Sequence, residues 1–276
     1  MNILMISLHA DPTMPAGIGE GGGTHSYIRE LLTFFSTKEM NVLLITRKCS
    51  PDIPKNEQIS KTCKIYRIIV NGELPINKKE LYALHNVSIS RVKDILKTTL
   101  FKPDLIHSVY WNSGQIANEL SQHFKIPFVH TVISNGLRRK MAGMDEANTA
   151  RYAIEKEIFQ NALYIFCITP SEKEDLIKLY QINQNKIIIP GRPVSADFLY
   201  PSHDEFGNPY LFRLDKDNSS LQSNIVLKFD TFKKDSIVSN WWNKKAFMYC
   251  GRIAQNKGVD FIVEAWIKLK EECTDN

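Results

Sequence analysis

Paired cysteines are absent from this 276-residue chain. The five cysteines stand far apart, at Cys49, Cys63, Cys167, Cys250 and Cys273. An odd number without regular spacing excludes a disulfide-stapled domain and indicates a reducing compartment. The chain also has no apolar run near the roughly 20 residues that span a bilayer, and its first residues lack the marks of a signal peptide. We therefore expect a cytoplasmic protein.

Strong charge of either sign is absent as well. The net charge is +5, with 24% charged residues, which is too weak and too dispersed to indicate a nucleic-acid partner. It is compatible with a small anionic ligand. The histidine and cysteine spacings that build a metal site are also missing, so we expect no metal and no bound cofactor.

Short apolar runs alternate with amphipathic segments from the N-terminus onward. Strands are predicted at 3–7, 42–46, 65–70, 104–110, 128–132, 164–169 and 186–190. Helices are predicted at 24–35, 80–100, 113–124, 150–162 and 171–180, the last with Ser171 and Glu174 as a capping box. Continuous apolar strands are typical of parallel sheets that are covered on both faces. The pattern predicts an α/β protein with a Rossmann-like, doubly wound parallel sheet.

The pattern changes after residue 201. Residues 202–245 are polar and aperiodic, which predicts a linker or insertion with a short hairpin around 224–229. A strand at 246–251 and a helix at 259–269 follow. One strand and one helix cannot bury their own apolar faces. We therefore expect a first domain at 1–201 and, at 246–276, the incomplete start of a second Rossmann-like domain; the alternative is an appendage packed on the first.

A glycine-rich loop at 17–23 joins the first strand to the first helix. Glycine N–H groups at a helix N-terminus can hold an anion, and the alternative is a flexible surface loop. The second strand ends in Arg47 and Lys48, without the acidic residue of a dinucleotide site, so a dehydrogenase is disfavoured. No Gly-Lys-Ser/Thr follows, which excludes a P-loop.

Histidines and cations mark the ends of predicted strands. His130 ends one strand, where open α/β sheets place the ligand crevice, although a structural role is equally compatible. His107 lies inside a strand and is predicted to be a hydrogen-bonded core histidine. Lys79 and Arg151 belong to the same edge. The alternatives are a surface charge for Lys79 and, for Arg151, a helix-stabilising pair with Glu155.

Arg252 and Lys257 flank the turn between the last predicted strand and the last helix. Cations at a helix N-terminus oppose the helix dipole unless an anion lies between them. This conflict indicates a diphosphate site.

Several of these segments resemble retaining GT-B glycosyltransferases. Residues 249–260, with Gly251, Arg252 and Lys257, are similar to the donor motif that opens the second domain of that family. Residues 103–114 resemble the "PDxxHxHYWxSG" segment of the branch that contains sucrose-phosphate synthase, sucrose synthase and the mycothiol glycosyltransferase. Residues 22–31, His130 with Thr131, and 151–174 match the same branch. The resemblance covers residues 1–201 and 246–270.

The resemblance implies transfer of a sugar from a nucleotide sugar, typically a UDP-sugar, with retention of anomeric configuration. It implies that Arg252 and Lys257 hold the donor diphosphate without a metal, and that His130 contacts the donor sugar; these three are the implied catalytic residues. For the acceptor, with a small sugar phosphate as one candidate, it implies a further set of residues. These are Gly22, Gly23, Lys79, Tyr110, Thr131 and Arg151.

The sequence departs from the family pattern at four places, one of which is the insertion 202–245, longer than the short linker common in the family. Thr24 and His25 follow Gly22 and Gly23 in place of the usual glutamine or asparagine. Residues 190–193 read Pro-Gly-Arg-Pro where the family has PGVD, and the chain ends before the family's paired-glutamate segment. We therefore expect little or no transferase activity from these 276 residues alone.

Two other functions stay open. A lipid-directed transferase of the same fold would dock through Arg91, Lys93, Lys97 and Lys102, but no exposed aromatic or leucine stripe accompanies these cations, so membrane contact is not favoured. The other is a non-catalytic sugar-phosphate-binding module, or the remnant of a disrupted transferase gene.

Overall fold

The computed structural model describes residues 1–14, 22–74, 80–143, 150–193, 210–213, 225–228 and 258–273. The chain divides into two compact units, Met1–Pro193 and Val194–Asn276. The predicted boundary at residue 201 lies outside the described residues.

An eight-stranded sheet forms the centre of the first unit. Its strands are β1 (Asn2–Ile6), β2 (Asn41–Arg47), β3 (Asn56–Gln58), β4 (Cys63–Ile68), β5 (Leu105–Val109), β6 (Phe128–Thr131), β7 (Tyr164–Phe166) and β8 (Ile187–Ile188). Their order is β3-β4-β2-β1-β5-β6-β7-β8. All neighbours run parallel except β3, which is antiparallel to β4. Because the order reverses at β1, the predicted doubly wound α/β fold is confirmed.

Six helices of the described chain accompany this sheet. They are α1 (Gly23–Thr37), α2 (His85–Thr99), α3 (Trp111–Phe124), α4 (Gly136–Met141), α5 (Ala150–Asn161) and α6 (Pro170–Tyr180). Single 3₁₀ turns lie at Glu80–Tyr82 and Gln184–Lys186. The predicted helix at 80–100 is therefore a 3₁₀ turn followed by α2.

Both faces of the sheet are covered by apolar side chains. Successive side chains of a strand point to opposite faces, so Ile3 and Met5 pack with Tyr27 and other residues of α1. Leu4 and Ile6 pack on the other face, with residues of α2, α3, α5 and α6. This two-sided burial is the reason why the strands are continuously apolar.

Three local features differ from the prediction. β3 was not predicted because Asn56–Gln58 is polar and pairs through its backbone. α4 lies in a segment predicted as a loop, and it is capped by Asn135, whose side chain accepts the Arg138 N–H at 2.7 Å. The capping box of α6 is formed by Thr169 and Glu172, two residues before the predicted pair.

The second unit contains an antiparallel pair and a helix within its described residues. β9 (Tyr210–Arg213) pairs with β10 (Ile225–Lys228). Only β10 lies within the hairpin predicted around 224–229, and β9 lies upstream of it. Helix α7 (Val259–Cys273) begins where it was predicted, whereas the predicted strand at 246–251 lies outside the described residues. In the part of the chain that the structure describes, no helix is both long and apolar enough to cross a membrane.

Candidate functional site

The strand order creates a crevice at the carboxyl edge of the sheet. β1 and β5 are neighbours, and the helices that follow them, α1 and α3, cover opposite faces. Open α/β sheets bind their ligands at such a switch point. The segments after β1 (7–11) and β5 (110–114), the end of β6 with the segment after it (131–136), and the first turns of α1 and α5 form what we call the switch-point site.

Tyr110 is the residue at which β5 turns into α3. Its φ of 73° and ψ of 153° lie in a region that is almost exclusive to glycine. Its N–H donates to the Thr131 carbonyl at 3.1 Å, and its own carbonyl accepts the Gly114 N–H at 2.9 Å. The ring lies 4.5 Å from that of His9, centroid to centroid. Strained residues held in this way concentrate at functional sites, so Tyr110 marks the switch-point site.

Arg151 lies in the first turn of α5 and is only 2% exposed. Its guanidinium carbon is 5.4 Å from the ring centroid of Tyr110 and 5.7 Å from that of Trp111. Nη2 donates to the Ser134 carbonyl at 2.8 Å, and Nε donates to Glu155 Oε1 at 2.7 Å. The pair with Glu155 considered from the sequence is therefore present. It holds the guanidinium beside the two aromatic rings.

Glu155 is buried too and receives donors from three elements. Besides Arg151, the Gly136 N–H donates at 2.8 Å, and the Tyr180 hydroxyl of α6 makes a short hydrogen bond to Oε2. Burial, and next the charge of Glu155, raises the pKa of Tyr180 above its ordinary value, so the hydroxyl stays protonated and donates. Arg151 is thus held by a network that joins α4, α5 and α6.

Thr131 connects the end of β6 to α1. Its Oγ1 lies 3.2 Å from the Tyr27 hydroxyl and 2.8 Å from His107 Nε2. The Arg192 guanidinium carbon lies 6.0 Å from the centroid of the Tyr27 ring. The predicted acceptor residues Tyr110, Thr131 and Arg151 therefore lie at one edge of the sheet, and Tyr27 links them to the start of α1.

Gly22 and Gly23 begin α1, as the sequence suggested. The Gly22 N–H donates to His25 Nδ1 at 3.2 Å, and the His25 N–H donates to the Gly22 carbonyl at 2.9 Å. Arg192 Nη1 donates to the Gly23 carbonyl at 3.3 Å and would lie only 2.8 Å from a Cβ at Gly23. Two departures from the family pattern, His25 and Arg192, therefore both hold this helix start.

His130 is buried inside the sheet, at 1% exposure. Its Nδ1 lies 2.9 Å from Ser108 Oγ, and α3 approaches so closely that a Cβ at Gly114 would lie 2.8 Å from His130 Cε1. Burial, and next the charge of His107, lowers its pKa to about 3, so the ring is neutral. The implied contact with a donor sugar stays a prediction. His107 is the hydrogen-bonded core histidine that was predicted.

A buried ion pair fixes the segment that leads to the glycine loop, and sequence reasoning missed it. Arg67 of β4 is 0% exposed, and its Nε lies 2.5 Å from Asp11 Oδ2. Its Nη2 also reaches Thr13 Oγ1 at 2.9 Å and Glu57 Oε2 at 2.8 Å. The available signal was an arginine inside the predicted strand 65–70, whose other residues are apolar or aromatic, because such a charge needs a buried partner.

Three of the predicted site residues, Lys79, Arg252 and Lys257, lie outside the described residues. Residues 73 and 74, upstream of Lys79, are held by Arg47, the last residue of β2, and by Lys48, which follows it. Arg47 Nη1 donates to the Leu74 carbonyl at 2.8 Å, and Lys48 Nζ lies 2.8 Å from Glu73 Oε2.

The described residues contain no group of three or more His, Cys, Asp or Glu side chains that could hold a metal ion. Cys49, Cys63 and Cys167 are free thiols. The absence of a metal from the reaction stays a prediction.

Residues 21–198, which include most of the switch-point site, match the family model described as Glycosyltransferase Family 4. The chain belongs to this family. It is similar to proteins named D-inositol 3-phosphate glycosyltransferase. The one from Corynebacterium diphtheriae is 26% identical, over 100% of this chain and 60% of that protein. The one from Pseudarthrobacter chlorophenolicus is 27% identical, over 68% of this chain and 46% of that protein. The chain thus spans about half of the length of these relatives.

Two solved structures share the fold. Sucrose-phosphate synthase from Thermosynechococcus elongatus has a TM-score of 0.65 and 23% identity, over 73% of this chain and 53% of that one. The catalytic domain of starch synthase IV from Arabidopsis thaliana has a TM-score of 0.51 and 12% identity, over 74% of this chain and 54% of that one. The predicted resemblance to GT-B glycosyltransferases is confirmed by the family match together with this fold.

Proposed function

We propose that this protein takes part in the transfer of a hexosyl group from a nucleotide sugar, a UDP-sugar in particular, to a small phosphorylated sugar or cyclitol. The anomeric configuration is retained, and the first unit binds the acceptor. The family match supports a glycosyltransferase. The names of the relatives support an acceptor that resembles D-inositol 3-phosphate. The free thiols of the described cysteines support a cytoplasmic location.

One observation carries the acceptor side of the proposal. A buried guanidinium, that of Arg151, lies beside the strained residue Tyr110 at the switch point. Arginine is suited to phosphate because its planar fork makes charge-assisted hydrogen bonds. In the proposal, Arg151, Tyr110 and Thr131, with Lys79, hold the phosphate of the acceptor. Gly22 and Gly23 allow its close approach to the start of α1.

The donor side of the proposal rests on the resemblance alone. The bond between the anomeric carbon and the diphosphate oxygen breaks through an oxocarbenium-like transition state. Arg252 and Lys257 stabilise the negative charge that develops on the diphosphate, which is electrostatic catalysis without a metal. The acceptor hydroxyl attacks the face that the diphosphate leaves, and its proton passes to the departing phosphate oxygen. His130 is the residue assigned to the donor sugar.

Ligand binding tests the acceptor site without requiring turnover. We expect D-inositol 3-phosphate to raise the midpoint of thermal unfolding, because a ligand at 100 times its Kd adds about 2.7 kcal/mol to the free energy of unfolding. Neither myo-inositol nor inorganic phosphate at the same concentration should match this effect. If inorganic phosphate shifted the midpoint equally, the site would bind anions without recognising the inositol ring. If none of the three compounds shifted the midpoint, the proposal would be contradicted.

Two tyrosine-to-phenylalanine variants, a test and a matched control, extend that experiment. Tyr110→Phe removes one hydroxyl and should weaken binding of D-inositol 3-phosphate about three- to tenfold, which corresponds to the loss of one hydrogen bond. Tyr164→Phe, at an exposed position of β7, should leave the affinity unchanged. Equal affinities for Tyr110→Phe and the unaltered protein would remove Tyr110 from the acceptor site.

A further inference from the structure

The amino edge of the sheet, opposite the switch-point site, carries a groove that is both basic and apolar. It lies between the C-terminal ends of α2 and α3 and has a volume of about 500 Å³. Its lining includes three lysines and three large apolar side chains: Lys93, Lys97, Lys102, Leu96, Phe101 and Phe124. None of the described residues that line it is acidic. We call it the amino-edge groove.

Leu100 lies beside the amino-edge groove, in a second groove that shares Phe101 and Lys102 with it. It ends α2 with a φ of 55° and a ψ of 22°, a left-handed conformation that favours glycine or asparagine. It is also 81% exposed, where a polar residue would be expected. Lys125 and Gln181 end α3 and α6 in the same left-handed conformation, so the backbone of Leu100 is an ordinary helix cap in this chain. What distinguishes Leu100 is a large apolar side chain that is exposed among cations.

Further apolar and basic groups lie at this edge of the sheet, where the two grooves share Phe101 and Lys102. Phe124, at the end of α3, is 42% exposed. The second groove, of about 700 Å³, contains Leu100 itself, and Lys61, Lys64 and Lys102 are among its lining residues. Lysines thus stand on both sides of the protruding leucine.

The acidic residues on or next to the elements beside this face include Asp94, Asp104 and Glu119, and the last two are engaged within the protein. Asp104 Oδ2 accepts the Asn2 N–H at 2.7 Å. Glu119 lies 3.1 Å from His85 Nε2 and 3.7 Å from Lys93 Nζ. Lys97 and Lys102 are both exposed, as is Asp94 of the same helix as Lys97. Because the described residues that line the two grooves include five lysines and no acidic residue, the face that they share with Leu100 carries net positive charge.

We propose that this face docks on an anionic phospholipid surface. Leu100 and Phe124 enter the headgroup layer, while Lys97 and Lys102 contact acidic headgroups. Interfacial binding of this kind combines buried apolar area with attraction to anionic lipids. Helix α2 itself has no apolar stripe beside its cations, but the fold brings Leu100 and Phe124 to them from two helix ends.

Two alternatives explain less of the structure. The dipoles of α2 and α3 favour lysines at their C-terminal ends, but they give no reason for an exposed leucine at this position. A soluble acidic amphiphile held inside the amino-edge groove would neutralise the lysines and yet leave Leu100 in water. A bilayer surface covers Leu100, Phe124 and the lysines together.

Vesicle co-sedimentation tests the proposal on the whole chain. We expect binding to vesicles of phosphatidylglycerol and phosphatidylcholine, and at least about tenfold weaker binding to phosphatidylcholine alone or at high salt, because screening removes the electrostatic part. No binding to the anionic vesicles, or equal binding to both kinds, would overturn it. A soluble ligand would be indicated instead if octyl phosphate below its micellar concentration perturbed the NMR signals of these residues while vesicles did not bind.

Variants separate docking from folding. Leu100→Asn suits the left-handed backbone, so the variant should be at least as stable as the original chain while its vesicle affinity falls about three- to tenfold. Lys97→Gln with Lys102→Gln should lower the affinity by a similar factor. The matched controls, Phe34→Asn and Lys178→Gln, replace an exposed phenylalanine of α1 and an exposed lysine of α6. The proposal fails if the controls reduce binding as much as the test variants do.

Discussion

At the scale of single residues, His107 and His130 are buried on neighbouring strands, and both rings are neutral. Burial lowers the pKa of His107 from 6.5 to about 4. Burial, and next the charge of His107, lowers that of His130 to about 3. Because the folded pKa values are depressed, the unfolded chain binds more protons below pH 6.5. Stability is therefore fully present above pH 6.5 and is lost as the pH falls toward 4 and below.

The pH dependence of unfolding tests this pair. Each histidine should lower the free energy of unfolding by about 1.4 kcal/mol per pH unit between its ordinary and its lowered pKa. Urea unfolding followed by circular dichroism between pH 7.5 and 4.5 measures the slope. His107→Gln, which keeps a hydrogen-bonding group near Thr131, should reduce the slope by about one proton. An unchanged slope in this variant would mean that His107 is not held neutral.

Gly114 is a second residue whose role depends on contact distance. An alanine inside a helix usually adds about 0.5–1 kcal/mol of stability over glycine. Here the new Cβ would lie 2.8 Å from His130 Cε1 and 2.9 Å from Ile158 Cδ1. We expect Gly114→Ala to lower the free energy of unfolding by about 1–3 kcal/mol, the usual cost of overpacking.

Urea titration compares this variant with Gln122→Ala, at an exposed position of the same helix. The control should stay within about 0.5 kcal/mol of the original chain. A more stable Gly114→Ala protein would contradict the close approach of α3 to β6.

At the scale of elements, the start of α6 gives a matched test. The Thr169 side chain accepts the Glu172 N–H at 3.2 Å, and Glu172 Oε2 accepts the N–H groups of Ile168 and Thr169. Thr169→Ala should therefore cost about 1 kcal/mol of unfolding free energy. Ser171→Ala, the cap predicted from the sequence, should cost less than about 0.5 kcal/mol, since Ser171 lies inside the helix. If chemical denaturation showed equal losses of unfolding free energy for the two variants, the assignment of Thr169 as the cap would be contradicted.

The elements that the sequence predicts are those whose own side chains define them. β1 and β2 are continuous apolar runs buried on both faces, and α3 has buried residues at helical spacing. β3 has no such signal, because Asn56–Gln58 obtains its conformation from backbone pairing with β4. The N-cap of α6 was predicted at the wrong residue because two overlapping Ser/Thr-x-x-Glu patterns occur, beginning at Thr169 and at Ser171. Which of them caps the helix depends on where β7 ends.

The candidate site was predictable only in part. Tyr110, Thr131 and Arg151 were named from their family segments, and the fold brings them to one edge. The supports behind them have no local signal. Tyr180 reaches Glu155 across 25 residues, and Arg67 reaches Asp11 across 56. Such pairs depend on how distant elements pack, which a single sequence does not specify.

At the scale of the whole molecule, the first unit holds its own sheet and both of its apolar layers. A domain of this size can bury enough surface to be stable alone. We expect residues 1–193 to unfold in one cooperative transition, with a midpoint close to that of the same unit in the full chain. Calorimetry of the two proteins makes the comparison, and a fragment that melts without cooperativity would contradict it.

The central place of β1 has a consequence for synthesis. β1 precedes both of its partners in the chain, and it pairs with β2 on one side and with β5 on the other. One long border of the nascent sheet therefore stays open until residue 108 has emerged, and unpaired apolar borders invite association between chains. While the stretch between β2 and β5 is being translated, the open side of β1 is therefore exposed to association with other chains.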